Sequence, residues 1–262
     1  MPRTADTSLL DAFRTWFEVV PACTPALRDA AFRVRHSVYC EDLGYEARRA
    51  DGRETDEYDE QSLHVLVHHR PTNQFVGCVR LIRVSQSDAA QRLPFERVSQ
   101  GLAPGVVPSA PERRVRIAEV SRLAIVRAFR RRRGEAARPA PLSSADYSGG
   151  PIVRFPHILT GLYLGVVATA TLHGVSTLFV LTEPRLADHL HKLGLRILQI
   201  GPPVEHRGMR IPSLINVDPL ARELGPVMRP LYEHVLESIK RGYRQRGHAE
   251  TDAVNAEDRS AR

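Results

Sequence analysis

The chain has few of the residues that cross-link extracellular proteins or anchor proteins in membranes. Only three of its 262 residues are cysteines, and their scatter fits neither a disulfide framework nor a cysteine-based zinc site. The longest apolar stretch, Ile158 to Leu172, contains three threonines and two glycines and is too short to span a bilayer. The first ten residues lack the pattern of a signal peptide. We therefore expect a cytoplasmic protein without a metal, and leave peripheral membrane contact open.

Lysine is also scarce. Lys192 and Lys240 are the only two, so almost all of the 37 basic residues are arginines, and with 30 acidic residues the formal net charge is +7. Guanidinium groups fit phosphates and carboxylates, which favours a partner that carries one of them. The hydrophobic content of 42% is ordinary for a globular protein and excludes disordered classes. We expect one domain over residues 1–245, ending in a helical extension, and a disordered tail over 246–262.

Apolar periodicity predicts helices that alternate with strands. The predicted helices are Thr7–Arg14, Pro25–Leu43, Phe155–His173, Pro184–Leu193 and Pro226–Tyr243. The predicted strands are Trp16–Val20, Leu63–His69, Phe75–Val84, Arg114–Val126, Ser176–Leu181 and Leu195–Ile200, the second and third forming a hairpin. A segment from Arg127 to Pro151, rich in Arg, Ala, Pro, Ser and Gly, is predicted to be a mobile loop. This order indicates an α+β protein with a mixed central sheet and helices on both faces.

An acidic loop precedes the hairpin. Residues 46–61 include seven carboxylates, and Asp56 and Asp59 are spaced so that a turn would project both to the same side. A solvated acidic face is the simpler interpretation, because runs of charge usually face water. If the loop is instead part of a site, Arg80, which lies in an otherwise apolar predicted strand, is a natural partner for its carboxylates.

The strand Arg114–Val126 places a carboxylate among apolar neighbours. By strand alternation, Glu119 and Ser121 share one face with Ile117 and Leu123, whereas Arg122 lies on the opposite face. A carboxylate in such surroundings is either paired with an arginine as a structural bridge or held with a raised pKa for proton transfer. The sequence leaves both interpretations open.

A run of arginines follows this strand, at Arg127, Arg130, Arg131, Arg132 and Arg133. Three interpretations compete: a phosphate-binding turn, nucleic-acid binding, and docking of an acidic carrier protein. The phosphate turn is weakened because no predicted helix starts behind it. Nucleic-acid binding is weakened because no interleaved aromatic residues accompany the run. Neither the His68–His69 nor the His189–His191 spacing converges on a metal.

These segments together resemble the acyl-homoserine-lactone synthase branch of the GNAT-like acyltransferases, and more closely the acyltransferases associated with PEP-CTERM/exosortase systems. The resemblance is carried by Phe32–Glu41, Glu54–Asp59 with Ser62 and His64, Gly77–Leu81, Ala118–Leu123 and Gly201–Pro212. It implies a GNAT-like fold whose central sheet splays to admit an acyl-phosphopantetheine. It also implies that an amine attacks the thioester.

The resemblance implies roles for ten residues. Catalytic roles fall to Glu119, Asp59 and Arg122, and substrate-binding roles to Arg35, Tyr39, Tyr45, Asp56, His64, Arg80 and Ser121. The arginines from Arg127 to Arg133 would dock acyl carrier protein. Tyr45 stands where the lactone synthases normally have a tryptophan.

The resulting expectation is an N-acyltransferase that moves a fatty acyl group from acyl carrier protein to an amino acid or similar amine. Glu119 would accept the amine proton, directly or through a water. No cofactor would be bound permanently, acyl-CoA is the other candidate donor, and no nucleic acid is expected as partner. The alternatives are an acyl-homoserine-lactone synthase that uses S-adenosylmethionine and a non-enzymatic module that binds acyl carrier or nucleic acid.

Overall fold

A mixed β-sheet runs through the part of the chain that the computed structural model describes, residues 9–85, 87–130, 155–192 and 196–260. Its strands are β1 (Phe17–Pro21), β2 (Ser62–His69), β3 (Gln74–Arg83), β4 (Ile117–Ile125), β5 (Thr177–Thr182), β6 (Leu198–Gln199), β7 (Val204–Glu205) and β8 (Met209–Asn216). The strand order is β1-β2-β3-β4-β5-β8-β6, and β7 pairs with β8. The β4–β5 pair is parallel and the other pairs are antiparallel.

Helices cover both faces of this sheet. They are α1 (Leu9–Trp16), α2 (Pro25–Arg35), α3 (Pro94–Val98), α4 (Pro111–Arg114), α5 (Arg127–Arg130), α6 (Phe155–Leu172), α7 (Pro184–Lys192), α8 (Val217–Glu223) and α9 (Arg229–Ser260). Alternate residues of β2 face opposite sides, so Val65 and Val67 join the core around α6 while Leu66 packs with Val34 of α2. This arrangement confirms the predicted α+β class with helices on both faces.

Helix α6 forms the centre of the larger core and lies very close to the sheet. A Cβ added at Gly165 would stand 2.7 Å from Val65 Cγ1 and 2.9 Å from Val19 Cγ1. The absent side chain is therefore what allows the helix and the sheet to approach. Although α6 is apolar nearly all round, no helix among the described residues has the length and apolarity needed to cross a bilayer.

Helix α2 begins as its sequence predicts but changes geometry early. Thr24 Oγ1 accepts the Leu27 N–H at 3.3 Å and Pro25 occupies the first turn, which together form a standard N-terminus. After Arg35 the chain continues as a π-helix over His36–Asp42, so the single helix predicted to Leu43 is wrong in its second half. The wider π turns place Tyr39 so that its hydroxyl donates to the Leu123 carbonyl at 2.8 Å.

The predicted hairpin is confirmed as β2 and β3. The turn between them ends at Asn73, whose φ of 52° lies in the left-handed region. Asparagine tolerates that region better than most residues, which suits it to this position. The two strands then run in antiparallel register from the Ser62–Ile82 pair to the His69–Gln74 pair.

The sheet splays between β4 and β5. These strands pair only from Ile117–Thr177 to Val120–Val180, so the second half of β4 has no partner in β5. At the same point β4 carries one extra residue against β3, because Cys78 pairs with Ala124 but Arg80 pairs with Ser121. Arg122 lies in this bulge with a φ of 52°. A bulge bends a strand and redirects its side chains, and here it follows directly after the last β4–β5 pair.

Several boundaries differ from the sequence prediction. Strand β4 begins at Ile117 because residues 111–114 are helical, and β6 is only two residues long. Strand β8 was not predicted, because Pro212 interrupts its pattern. Helix α9 extends to Ser260 rather than Tyr243, so helix continues into the segment expected to be a tail. The predicted mobile loop contains α5, and its residues 131–151 lie outside the described ones.

Candidate active site

A cavity of about 410 Å³ opens at the splay of the sheet. This volume falls within the range of small-molecule sites. Its apolar lining, called here the apolar side, is formed by Val38, Leu43, Leu123, Ile125, Tyr163, Val180, Leu181 and Leu186. Its charged and polar lining, called here the polar side, is formed by Asp56, Arg80, Glu119, Ser121, Arg122, Glu183, His206, Arg207 and Arg210. Such a wall suits a ligand with an apolar chain and a polar head.

A network of four arginines and four carboxylates lies at the polar side. Its members are Arg35, Arg80, Arg122 and Arg207, and Glu46, Glu54, Asp56 and Asp59. Glu54 and Asp59 are each 4% exposed, so the acidic loop is not a solvated face, and that simpler interpretation is wrong for these residues. Charges buried to this degree are stable only when paired.

Arg80 pairs with both Asp56 and Asp59. Its Nη1 lies 2.5 Å from Asp56 Oδ1 and 2.8 Å from Asp59 Oδ1. The turn supports this arrangement, because Asp59 Oδ2 accepts the Asp56 N–H at 2.8 Å and Asp56 Oδ1 accepts the Tyr58 N–H at 3.0 Å. The predicted same-side projection of Asp56 and Asp59 and their partnership with Arg80 are confirmed.

Arg35 joins two carboxylates of the network in the protein interior. It is fully buried, with Nε 2.5 Å from Glu54 Oε2 and Nη1 2.5 Å from Asp59 Oδ1. Burial acts to raise the pKa of Asp59, but Arg35 and Arg80 outweigh it and hold the pKa at about 2. Burial likewise opposes the arginines at Glu54, whose pKa is nevertheless lowered. Both carboxylates are therefore ionised at neutral pH.

Arg122 joins the acidic loop to β4. Its Nη2 lies 3.1 Å from Glu46 and from Glu54, and 3.2 Å from Asp56. Regular alternation would have put Arg122 on the face opposite Ser121, yet both line the cavity. The predicted separation is wrong because the bulge at Arg122 breaks the period of two.

Glu119 differs from every other carboxylate at the cavity. It is 5% exposed, and no described residue forms an ion pair with it within 4.0 Å. Its Oε2 accepts the Phe95 N–H at 2.7 Å. Burial raises the pKa of Glu119 to about 7, although the Phe95 hydrogen bond and the charges of Arg80 and Arg122 oppose the rise. Of the two interpretations left open for this carboxylate, the geometry favours the raised pKa over the structural bridge.

Three predicted site residues lie behind the cavity rather than on its wall. Arg35 and Asp59 are occupied by the buried network. His64 is 2% exposed with its Nε2 3.6 Å from Asp59 Oδ1, and burial lowers its pKa to about 3. The substrate-binding roles expected for Arg35 and His64, and the catalytic role expected for Asp59, would require contact with the substrate, but none of the three lines the cavity.

The remaining predicted substrate-binding residues reach the cavity. Tyr39 and Tyr45 line it from the π-helix and the turn after it, and the guanidinium of Arg122 lies 5.6 Å above the Tyr39 ring. Ser121 Oγ accepts from Arg80 Nε at 3.0 Å. Tyr39, Tyr45, Asp56, Arg80 and Ser121 therefore converge on one cavity with Glu119 and Arg122.

The arginine run is only partly described. Arg127 lies 3.1 Å from Asp42 Oδ1, and Arg130 pairs with the same carboxylate and lines the cavity. Arg131, Arg132 and Arg133 lie outside the described residues.

The β7–β8 hairpin supplies groups for which the sequence suggested no role. Arg207 pairs with Glu46, and Arg210 Nη1 lies 2.9 Å from Glu183 Oε1. The hairpin turns at Arg207 and Gly208, whose φ values of 55° and 94° are left-handed. Glycine favours that region and explains the tight turn. The sequence shows two arginines that flank this glycine. Because no pattern predicts β8, their place on the same cavity wall as Glu119 could not be inferred from the sequence.

The described residues hold no group of three or more histidine, cysteine, aspartate or glutamate side chains that would bind a metal ion.

Comparisons with known proteins agree with this fold. Residues 34–138 match the sequence profile of the acetyltransferase (GNAT) domain family. The fold is GNAT-like. The matched segment begins within α2 and includes β2, β3, β4 and the acidic loop, which together supply most of the polar side of the cavity. A search of curated protein sequences found no match.

Solved structures with a similar fold include acyl-homoserine lactone synthases. TofI, in a ternary complex with an inhibitor and MTA, is 18% identical over 80% of this chain and 99% of its own, with a TM-score of 0.52. BjaI, a CoA-dependent acyl-homoserine lactone synthase with SAM and isopentyl-CoA, is 20% identical over 85% and 89%, with a TM-score of 0.51. FeeM, an N-acyl amino acid synthase from uncultured soil microbes, is 18% identical over 79% and 94%, with a TM-score of 0.49. At these identities the likeness to TofI and BjaI is one of fold.

Proposed function

We propose that the protein is an N-acyltransferase that moves a fatty acyl group from an acyl carrier protein thioester to the amino group of an amino acid or similar amine. The observation that carries this proposal is Glu119, a buried carboxylate with a pKa of about 7 on the wall of a half-apolar cavity. A carboxylate with a pKa near the working pH is suited to accept and return a proton. The match of residues 34–138 to GNAT acetyltransferase domains supports acyl transfer as the reaction class.

The proposed reaction exchanges one thioester for one amide. The amine nitrogen attacks the thioester carbon, and Glu119 takes a proton from that nitrogen as the C–N bond forms. The C–S bond then breaks, and the proton passes from Glu119 to the departing sulfur, which leaves as a thiol. No covalent enzyme intermediate is needed, because two substrates held side by side already gain much of the rate enhancement.

The splay supplies a place for the donor. Because β4 and β5 stop pairing after Val120 and Val180, an extended phosphopantetheine arm can lie between them with its thioester near Glu119. The apolar side, including Leu181 and Leu186, would hold the acyl chain. BjaI is described as CoA-dependent, so acyl-CoA is the donor to test beside acyl carrier protein.

The polar side suits an acceptor that carries both an amine and a carboxylate. Asp56 would attract the amine, and Arg122 and Arg207 would receive the carboxylate in exchange for their shared partner Glu46. In this proposal Arg35, Asp59 and His64 do not touch the substrate. They lie behind the cavity wall and hold Arg80 and the acidic loop in place. Arg127 and Arg130 would dock the carrier, together with the three arginines that follow them.

Two finer expectations remain proposals. The link to exosortase systems depends on the resemblance of Gly201–Pro212, and the single domain over residues 1–245 depends on chain length and pattern. S-adenosylmethionine as acceptor would make the protein a lactone synthase instead.

Mass spectrometry of reaction products tests the proposal. Purified protein is incubated with acyl carrier protein bearing C8 to C16 chains, or with the matching acyl-CoA, together with all amino acids and S-adenosylmethionine. An N-acyl amino acid is the expected product. An acyl-homoserine lactone would transfer the assignment to the lactone synthase. No amine-dependent loss of thioester by folded protein would contradict acyl transfer altogether.

A further inference from the structure

The hydrogen bond to Glu119 comes from a short helix in the connection between β3 and β4. Phe95 of α3 donates its backbone N–H to Glu119 Oε2 at 2.7 Å. Its ring also stacks on Phe179 at a centroid distance of 4.5 Å, and Phe179 is the β5 partner of Glu119 in the parallel register. The position of α3 therefore decides where the Glu119 carboxylate is held.

A buried ion pair fixes α3 in turn. Arg114 Nη2 lies 2.8 Å from Glu96 Oε1 and Nη1 lies 3.3 Å from Glu96 Oε2, a two-point contact between residues that are 7% and 9% exposed. Glu96 Oε1 also accepts the Leu93 N–H at 2.8 Å. Arg114 donates further to the carbonyls of Ala89, Gln91 and Pro108, and so ties both ends of the connection together.

The pair lies away from the reacting groups. Neither Glu96 nor Arg114 lines the cavity that contains Glu119. Glu96 belongs to α3, and the Phe95 N–H of the same helix donates to Glu119. A buried, paired carboxylate and arginine beside an active site are costly to maintain for stability alone, which suggests a role in arranging the neighbouring group.

We propose that Glu96 and Arg114 are positioning residues for Glu119. The pair holds α3 so that the Phe95 N–H fixes one carboxylate oxygen, while the negative charge of Glu96 favours retention of a proton by Glu119. This inference rests on the proposed role of Glu119 as the proton acceptor, but it concerns residues outside the cavity.

The charges that face Glu119 act in opposite directions. Arg80 from β3 and Arg122 from β4 favour the ionised form, as does the Phe95 hydrogen bond, whereas Glu96 from α3 disfavours it. The other charged or titratable groups on the cavity wall are Asp56, Tyr58, Glu183, Arg130, His206, Arg207, Arg210, Tyr39, Tyr45 and Tyr163. The proposal singles out Glu96 and Phe95 because their effects on the Glu119 pKa have opposite signs.

Two substitutions exploit these opposite signs. Glu96→Gln removes the negative charge but keeps an oxygen that can accept from both the Leu93 N–H and Arg114 Nη2, so α3 should stay in place and the pKa of Glu119 should fall. Phe95→Pro removes the N–H donor in the first turn of α3, so the pKa should rise. The matched controls are Glu57→Gln, the same change at an exposed glutamate, and Phe95→Leu, which keeps the N–H.

The measurement is the titration of the Glu119 carboxyl by carbon NMR in full-length protein labelled at glutamate, with Glu119→Gln identifying the signal. A downward shift in Glu96→Gln and an upward shift in Phe95→Pro, each absent from its control, is the expected result. Shifts of the same sign would indicate general disturbance and overturn the proposal, as would an unchanged titration in folded variants. If one variant does not fold, the other decides.

This titration also separates the positioning role from the proposed function. If no substrate yields product but the two shifts appear, the acyltransferase proposal fails while the control of the Glu119 proton stands. If product forms but the titration and the acid limb of the pH–rate profile stay unchanged in both variants, only the positioning proposal fails.

Discussion

Replacing Glu119 with glutamine removes the proton acceptor while keeping the shape of the side chain. The amide oxygen can still accept the Phe95 N–H, so the loop should stay in place. A general base contributes about 10²- to 10⁴-fold to rate. We therefore expect kcat for amide formation to fall by at least about 10²-fold. KM for the donor should change less than about threefold, because Glu119 has no proposed role in binding the donor.

The same substitution should change stability in a pH-dependent way. A rise in the Glu119 pKa from 4.5 to about 7 corresponds to about 3 kcal/mol of folding free energy. Between these pH values the folded state holds more protons than the unfolded state, so stability of the native sequence falls as pH rises. Glutamine does not titrate, so Glu119→Gln should lose this dependence. The free energy of unfolding of the variant minus that of the native sequence should therefore be larger at pH 8 than at pH 4.

Two assays check these effects. Stopped-time product quantification across pH 5 to 9 gives kcat, and urea denaturation at pH 4 and pH 8 gives the stability difference. Asp51→Asn, an exposed carboxylate outside the cavity, is the matched control. A Glu119→Gln variant with native kcat and pH profile would refute the assignment of Glu119 as the base, whatever its stability.

Three further perturbations follow from the charged network and the hairpin. Arg35→Ala removes one of the two arginine partners of each of two buried carboxylates, Glu54 and Asp59, and should cost about 3 to 5 kcal/mol in urea denaturation, whereas Arg33→Ala at an exposed pair should cost less than about 1; equal costs would contradict the buried network. The contribution of Asp59, whose pKa is lowered from 3.8 to about 2, should be complete above about pH 4 and lost as pH falls towards 2, and an Asp59→Asn variant should show a correspondingly weaker loss of stability in acid. Arg207→Gln should raise KM for an acceptor amino acid at least about tenfold but leave KM for the decarboxylated amine unchanged; equal effects on both would remove the carboxylate contact.

The fold was predictable where a local pattern decides the structure. The β2–β3 hairpin and α6 follow from apolar runs bounded by turn residues, and their predicted limits agree closely with the observed ones. Strand β8 was not predictable in this way, because it contains Pro212 and owes its position to pairing with β5 on one side and β6 on the other. The π-helix also lacks a local signal, since its first residues continue the periodicity of α2.

The candidate site was predictable as a set of residues but not as an arrangement. Spacing predicted that Asp56 and Asp59 project to the same side, and the place of Arg80 in an apolar strand predicted that it pairs with the acidic loop. The position of Arg122 could not be foreseen, because it depends on one extra residue in β4 that only the register with β3 reveals. Long-range contacts also determine which groups lie behind the cavity, as with His64, and which lie on its wall, as with Arg207.

The most direct test of amide formation follows the nitrogen and the sulfur in one reaction. Native protein is incubated with an acyl thioester and a mixture of ¹⁵N-labelled amino acids, and released thiol is counted beside the mass of every acylated product. The account predicts one ¹⁵N-containing amide for each thiol released, with both lost in Glu119→Gln. Thiol released together with free fatty acid and no labelled product would show hydrolysis instead, and would contradict the proposed function.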